Sequence, residues 1–366
     1  MRETWRRLAD LLSTRKGAGT LLMTVAASVA LGVVPNILES WTPNVWLLYT
    51  AFVIGVTGVL TGWSMTRDRG LGILLALYPT SPSDTRAMAM RNAARDQHAA
   101  LLVLDRGQLW PSDHTPVMSP EQITLLGRLI DARCAEVLSA GADLADVGLY
   151  PLMSLQDGYR LGQALQSLGG GPTIAHYSPT AEQVVPGIRL HGTLRHAPTP
   201  VSQALAAAAL RPPTDPLIIH NPAIGPGHPG HQRLALIVRL AGRDQMIGQA
   251  RHVAETGNPL LPDGRPTGYF FDPDDRTAHT TPCGAVVIIE ADGNIPEDLN
   301  HFAAITTHIR AQWHTARNTW SAETGIPAEG LLFFNGPLTL AIALGWSLND
   351  GPPTFVAHTL PERGGG

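Results

Sequence analysis

Ten residues scattered through this chain carry side chains suited to holding a phosphate or reading a base edge. They are Thr80, Ser81, Arg106, Ser154, Gln156, Tyr177, Arg243, Asp292, Asn335 and Thr339. Arginine pairs with phosphate oxygens through a planar fork of donors, and hydroxyls and amides complement anions and base edges. Position groups them as much as chemistry. Each falls where an apolar run of strand length gives way to a polar turn, the carboxyl end of a strand. In an open parallel sheet, ligands sit outside those ends, where helix N-termini aim amide groups at anions. His358 stands at an end of the same kind. Each position also suits a helix cap or a turn.

The text of an enzyme is missing. There is no GxxxxGK[ST], HExxH or GxSxG, and no nucleotidyltransferase-like Gly-Ser with paired aspartates. Gly169-Gly170-Gly171 follows a helix rather than a strand, so it is not a dinucleotide fingerprint. His220, His228 and His231 lack a carboxylate or cysteine to complete a metal set, and His301, His308 and His314 lie along one helix with no acid placed for zinc. Cys134 and Cys283 are far apart, which fits a reducing compartment. The expectation is a binding protein with no catalytic residue, metal or cofactor. A Rossmann-type transferase, with an acid or base among Asp105, Glu290 and Asp292, is the enzymatic alternative. A non-catalytic membrane protein that only binds a partner is the third.

Several elements must position those ten residues. Residues 331–334 form a short apolar run, broken by Asn335-Gly336-Pro337. Leu340, Ala343, Leu344 and Leu348 then recur at helical spacing, Asn349 to Pro352 stop them, and residues 354–357 read as a strand. This βαβ unit has an earlier counterpart at residues 147–177. There Leu161-Gly162…Leu165 matches Leu344-Gly345…Leu348, and Gly171-Pro172-Thr173 matches Pro352-Pro353-Thr354. The pattern predicts an internal duplication. The first half spans residues 71–178, with strands at 71–78 and 99–104, helices at 85–95 and 120–139, and a Ser119/Gln122 capping box. Residues 179–232, rich in Pro, Gly, Ala and His, read as a connector. The second half, 233–362, repeats the order, with a polar hairpin expected around Tyr269-Phe270-Phe271. The fold class is α/β: two tandem Rossmann-like parallel-sheet halves.

The first seventy residues differ in character. Residues 17–38 and 44–66 carry no charge, and a stretch of ~20 apolar residues crosses ~30 Å of hydrocarbon. Trp46, Tyr49 and Trp63 sit near the span ends, and small residues (Ala26/Ala30, Gly58/Gly62) recur at helical spacing. Residues 1–16 put Trp5, Leu8, Leu11 and Leu12 on one stripe among arginines, as a basic juxtamembrane segment would. Basic residues at 2–16 and at Arg67 and Arg69 place both ends in the cytoplasm by the positive-inside bias. Charge separates the parts as well. The chain carries −4, but residues 1–84 hold seven basic and five acidic residues, and the remainder nineteen and twenty-five. A soluble portion at −6 argues against broad DNA or RNA binding, which requires a basic face.

The duplicated sheet and its closing unit, Leu332-Phe333-Phe334-Asn335-Gly336-Pro337…Ala343-Leu344-Gly345, resemble the SAVED domain, a fusion of two CARF-like Rossmann units. The resemblance covers about residues 71–362. It implies a sensor of a cyclic oligonucleotide in bacterial anti-phage signalling (CBASS). Behind a two-helix transmembrane hairpin, it implies an effector in the bacterial inner membrane that binds the messenger, forms a homo-oligomer and disrupts the bilayer. It supplies no ligand motif to carry over residue by residue.

Overall fold

The computed structural model describes residues 21–27, 50, 53–61, 70–78, 84–111, 115, 117–139, 146–165, 170–212, 217–242, 245–272, 275 and 277–358. Two compact units divide at Arg69/Gly70. In the first, residues 21–27 and 53–61 are helical. They meet at Ala26, 7% exposed, and Gly58, where a Cβ would stand 2.7 Å from the Ala26 Cβ. Small residues thus let these helices pack closely, as their spacing anticipates. Most of both expected spans, and the basic segment 1–16, lie outside the described residues. Among the described residues no helix is long and apolar enough to cross a membrane.

The second unit is α/β. Its first lobe runs β1 (Leu71–Ala76), α1 (Thr85–Gln97), β2 (Ala100–Asp105), a single turn α2 (Arg106–Leu109), α3 (Pro120–Ser139), β3 (Val147–Leu152), α4 (Leu155–Ala164), β4 (Gly170–Ser178) and β5 (Gln183–His191). A 3-10 turn, Gly192–Arg195, and α5 (Pro200–Ala209) lead to the second lobe: β6 (Ile219–His220), β7 (Arg233–Arg239), α6 (Gln245–Thr256), β8 (Tyr269–Phe270), β9 (Ala285–Glu290), α7 (Leu299–Thr324), β10 (Glu329–Asn335), α8 (Leu338–Ser347), β11 (Thr354–Phe355) and β12 (Ala357–His358).

The two sheets share a topology. The first is ordered β2-β1-β3-β4-β5 and the second β11-β10-β7-β9-β6. Counting only the parallel strands, each lobe places its second strand beside its first, then its third, then its fourth. The antiparallel edge differs: β5 follows the fourth strand in one lobe, and β6 flanks the second strand in the other. The duplication read from the sequence is therefore present in the strand order.

Alternation along the strands explains the layers. Ile73 and Leu75 face a central core while Leu74 faces an outer one under α1, with Met90 and Ala94. In the second lobe Leu234, Leu236 and Val238 face the centre, and Ala235 and Ile237 face outward under α6, against Met246, Ala250 and Val253. The long helices α3 and α7 feed the central core through Ile123, Leu126 and Ile130, and through Phe302, Ile305, Ile309 and Trp313. That core is continuous across both lobes.

The helices of the two matched units form the seam. α4 and α8 run side by side in the same direction: Gly158 lies against Leu338 near the N-termini, and Trp346 Nε1 donates to Leu165 O (3.2 Å) near the C-termini. A Cβ on Gly162 would meet the Ile342 carbonyl and the Trp346 amide, and one on Gly345 would meet the Tyr159 carbonyl and the Gln163 amide. The contacts are reciprocal at matched positions, as a pseudo-twofold axis requires. The Leu-Gly text recurs because each glycine admits the other helix's backbone.

Two expectations are corrected. Residues 183–191 are not connector; β5 pairs antiparallel with β4, and Ile188 and Leu190 enter the central core. Pro186 and Gly187 disguised that strand, since an edge tolerates both. Tyr269-Phe270 does not turn back on itself; β8 pairs with β12, Tyr269 opposite His358 and Phe270 opposite Ala357.

Candidate functional site

In both lobes the fourth parallel strand leaves the sheet early. β4 pairs with β3 only at Gly148–Thr173 and Leu149–Ile174, and β11 pairs with β10 only at Leu331–Thr354 and Leu332–Phe355. Pro151 has no amide hydrogen to extend the first pairing. Beyond these points each sheet opens a crevice at its carboxyl end, and the N-terminal turn of the other lobe's seam helix faces it.

The two crevices have different fates. In the first lobe Thr339 of α8 closes it: buried at 1% exposure, its hydroxyl donates to Ala175 O (3.3 Å). His176 and Glu297, 3.5 Å apart, pack beside it, with burial holding the His176 pKa down against Glu297, which raises it. In the second lobe the position equivalent to Thr339 is Gln156, and the crevice remains open. It forms a cavity of about 640 Å³ that reaches from Gln122, Gln156 and Arg160 on one lobe to Phe270, Phe271 and Val356 on the other.

The cavity's near wall is held by Asp157, 2% exposed. Ser154 caps α4 by accepting from Asp157 N (3.0 Å) and donates its own hydroxyl to Asp157 Oδ2 (2.8 Å). Asp157 Oδ1 then accepts from Met118 N (3.2 Å), fastening the wall segment to the helix. Arg160 Nη1 donates to Met118 O (3.3 Å), and Arg106 Nη2 donates to Thr115 Oγ1 (2.9 Å). Burial pushes the Asp157 pKa up, opposed by the Ser154 and Met118 hydrogen bonds and by Arg160 and Arg106. The far wall exists because β12 draws β8 across, setting Phe270 and Phe271 at the rim. Aromatic faces, amides, hydroxyls and an arginine beside a helix N-terminus are the ingredients for a stacked base and its phosphate.

The ten sequence-selected residues are distributed unevenly around this site. Gln156 lines the cavity, while Ser154 and Arg106 brace its wall. Thr339 closes the opposite crevice, and Tyr177 packs on the outer core of the first lobe. Asn335 Nδ2 donates to Ala241 O (3.4 Å), tying β10 to the loop after β7. Asp292 is exposed and accepts from Arg211 Nε (3.4 Å). Thr80, Ser81 and Arg243 lie outside the described residues. The carboxylates of the enzymatic alternative hold structure: Asp105 Oδ1 accepts from Gln108 N (3.2 Å), and Glu290 binds Arg239 and Arg211. Among the described residues no cluster of three or more His, Cys, Asp and Glu could hold a metal ion. Sequence reasoning missed Arg160, Gln122, Phe270 and Phe271. Arg160, one turn beyond Gln156 on the same helix face, was within reach of it.

No family model matches the chain, and no curated protein matches it. Among solved structures it is similar to the SAVED/CARF-domain-containing receptor Cap4 of Acinetobacter baumannii. The structure with the cyclic trinucleotide 3'3'3'-cAAA matches at a TM-score of 0.39 and 11% identity, over 83% of this chain and 55% of that one. The structure with 2'3'3'-cAAA matches at 0.37 and 12%, over 83% and 54%. The chain thus spans about half the length of the receptor it matches.

Proposed function

We propose that this chain is a non-catalytic, membrane-anchored receptor that binds a cyclic oligonucleotide between its two lobes. The open crevice at the α4 N-terminus carries the reading: Arg160 and two glutamines on one side face Phe270 and Phe271 on the other. In its matched counterpart Thr339 is buried and bonds across to Ala175 O. The duplicated sheets and the sequence resemblance to SAVED domains support a nucleotide messenger over other anions. The two uncharged stretches, 17–38 and 44–66, and the close packing of Ala26 on Gly58, support a hairpin in the bacterial inner membrane. Ligand binding would join receptors into a homo-oligomer, and their clustered hairpins would breach the bilayer.

Full-length protein in detergent tests this directly. Cyclic di-, tri- and tetranucleotides are titrated while mass is followed by light scattering. One of them is expected to bind and raise the mass. Phe271→Ala is expected to weaken binding about fivefold to a hundredfold, the worth of one base stack, and Arg160→Gln about tenfold or more. Binding by none of the three classes, or unchanged affinity in both variants, rejects the assignment. In dye-loaded vesicles the same ligand is expected to cause leakage; binding without leakage rejects the effector role alone.

A further inference from the structure

The α4–α8 seam has a second cavity at its opposite end, about 490 Å³ in volume, beyond the C-terminus of α8. Arg310, His314 and Arg317 line it from α7, at the spacing that puts three residues on one helix face. Asn318, Asp350 and Pro198 complete the wall.

Two arginines, Arg195 and Arg310, bind the last carbonyls of α8, and a third, Arg317, binds the turn after it. Arg195 donates from Nε and Nη2 to Trp346 O (3.2 and 3.0 Å) and stacks on the Trp346 ring at 3.8 Å. Arg310 Nε donates to Ser347 O (3.1 Å), and Arg317 Nη1 donates to Asp350 O. These bonds use only part of each guanidinium, which carries five donors. The counter-charge is thin. The helix terminus supplies about half a negative charge. The Asp350 carboxylate is 73% exposed and 3.9 Å from Arg310 Nη2. His314 lines the cavity between Arg310 and Arg317, with its Nε2 turned away from solvent and therefore not the atom a ligand would meet. Burial, then the neighbouring Arg310, hold its pKa down.

We propose that this basic cavity is a second ligand site, which takes a phosphate-bearing anion through Arg310 and Arg317. A doubly charged phosphate group would offset the surplus positive charge and engage donors that α8 leaves over. A free polyphosphate and a phospholipid headgroup present the same chemistry.

Calorimetric titration of the full-length protein in detergent, at fixed ionic strength, separates the sources with two probes, pyrophosphate and glycerol 1-phosphate. Saturable binding of pyrophosphate alone assigns a polyphosphate, and binding of glycerol 1-phosphate alone or of both assigns the headgroup chemistry. Arg317→Gln is expected to weaken the bound probe about tenfold or more. Asn318→Asp, an exposed change that spares the fold, is expected to weaken it severalfold by repulsion. Arg160→Gln, in the other cavity, is expected to leave it unchanged. Absence of saturable binding for both probes overturns the proposal. So does wild-type affinity in Arg317→Gln and Asn318→Asp, or loss of binding in Arg160→Gln, which would move the anion to the inter-lobe crevice.

Discussion

Alanine at Gly162 drives a methyl carbon into the Ile342 carbonyl oxygen and leaves it 2.9 Å from both that carbonyl's carbon and the Trp346 nitrogen. Carbon atoms in contact normally stand ~3.5–4.0 Å apart, so α4 and α8 must part by roughly 1 Å. The atoms met are backbone and cannot rotate away. Overpacking of this kind costs about 3 kcal/mol, the upper end of its range. Alanine recovers about 1 kcal/mol of helix propensity. The net loss is about 2 kcal/mol, a fall in Tm of roughly 3 °C for a unit of this size. Gly345→Ala acts through the mirror contact, 2.8 Å from the Tyr159 carbonyl carbon, with a similar loss. One parting of the helices accommodates both methyls. The double variant is therefore expected to fall short of the sum by about 1 kcal/mol or more. Gly248, in α6 with open space around its missing Cβ, is the control; alanine there should stabilise by about 0.5–1 kcal/mol. Scanning calorimetry on the four variants reads all of this. If Gly162→Ala stabilises as Gly248→Ala does, or if the double variant is additive, the lobes do not join through this pair.

Two further outcomes follow from buried titratable groups. Burial lowers the His308 pKa below 6.5, so on acidification the unfolded chain takes up a proton before the folded one does. Stability is retained above that pH and lost as pH falls through it and on toward the folded-state value. Denaturation midpoints between about pH 7.5 and 5.5 should show this slope, and His308→Gln should flatten it; an unchanged slope removes His308 as a contributor. Burial likewise raises Cys134 to about 11 and Cys283 to about 12. Neither thiol should react with a disulfide reagent in the native protein, and both should react in denaturant; prompt native labelling would contradict their burial.

Local rules made much of this architecture legible. The Ser119/Gln122 box is formed by reciprocal bonds, Ser119 N to Gln122 Oε1 (2.8 Å) and Gln122 N to Ser119 Oγ (3.3 Å), and α3 runs over the residues its pattern marked. The recurring Leu-Gly pair marked both seam helices because a shared packing requirement writes the same letters twice. Other features depend on partners distant in sequence. β5 is recognisable only beside β4, and β8 only once β12 crosses to meet it. Asp157 reads as an ordinary helix-start acid, and only folding delivers the Met118 amide to it. Less of the candidate site was legible, for the same reason. Strand ends pointed to Gln156, but the aromatic wall arrives from residues more than a hundred positions away.

Placing both lobes on a single polypeptide lets matched corners drift apart. In a dimer of identical subunits, one codon change would alter both crevices at once, and each would stay a copy of the other. Here glutamine at 156 and threonine at 339 occupy matched places yet leave one crevice open and the other shut. Under the proposed function, a ring-shaped ligand would then be gripped unequally on its two sides, and ligands whose own halves are not alike would be favoured.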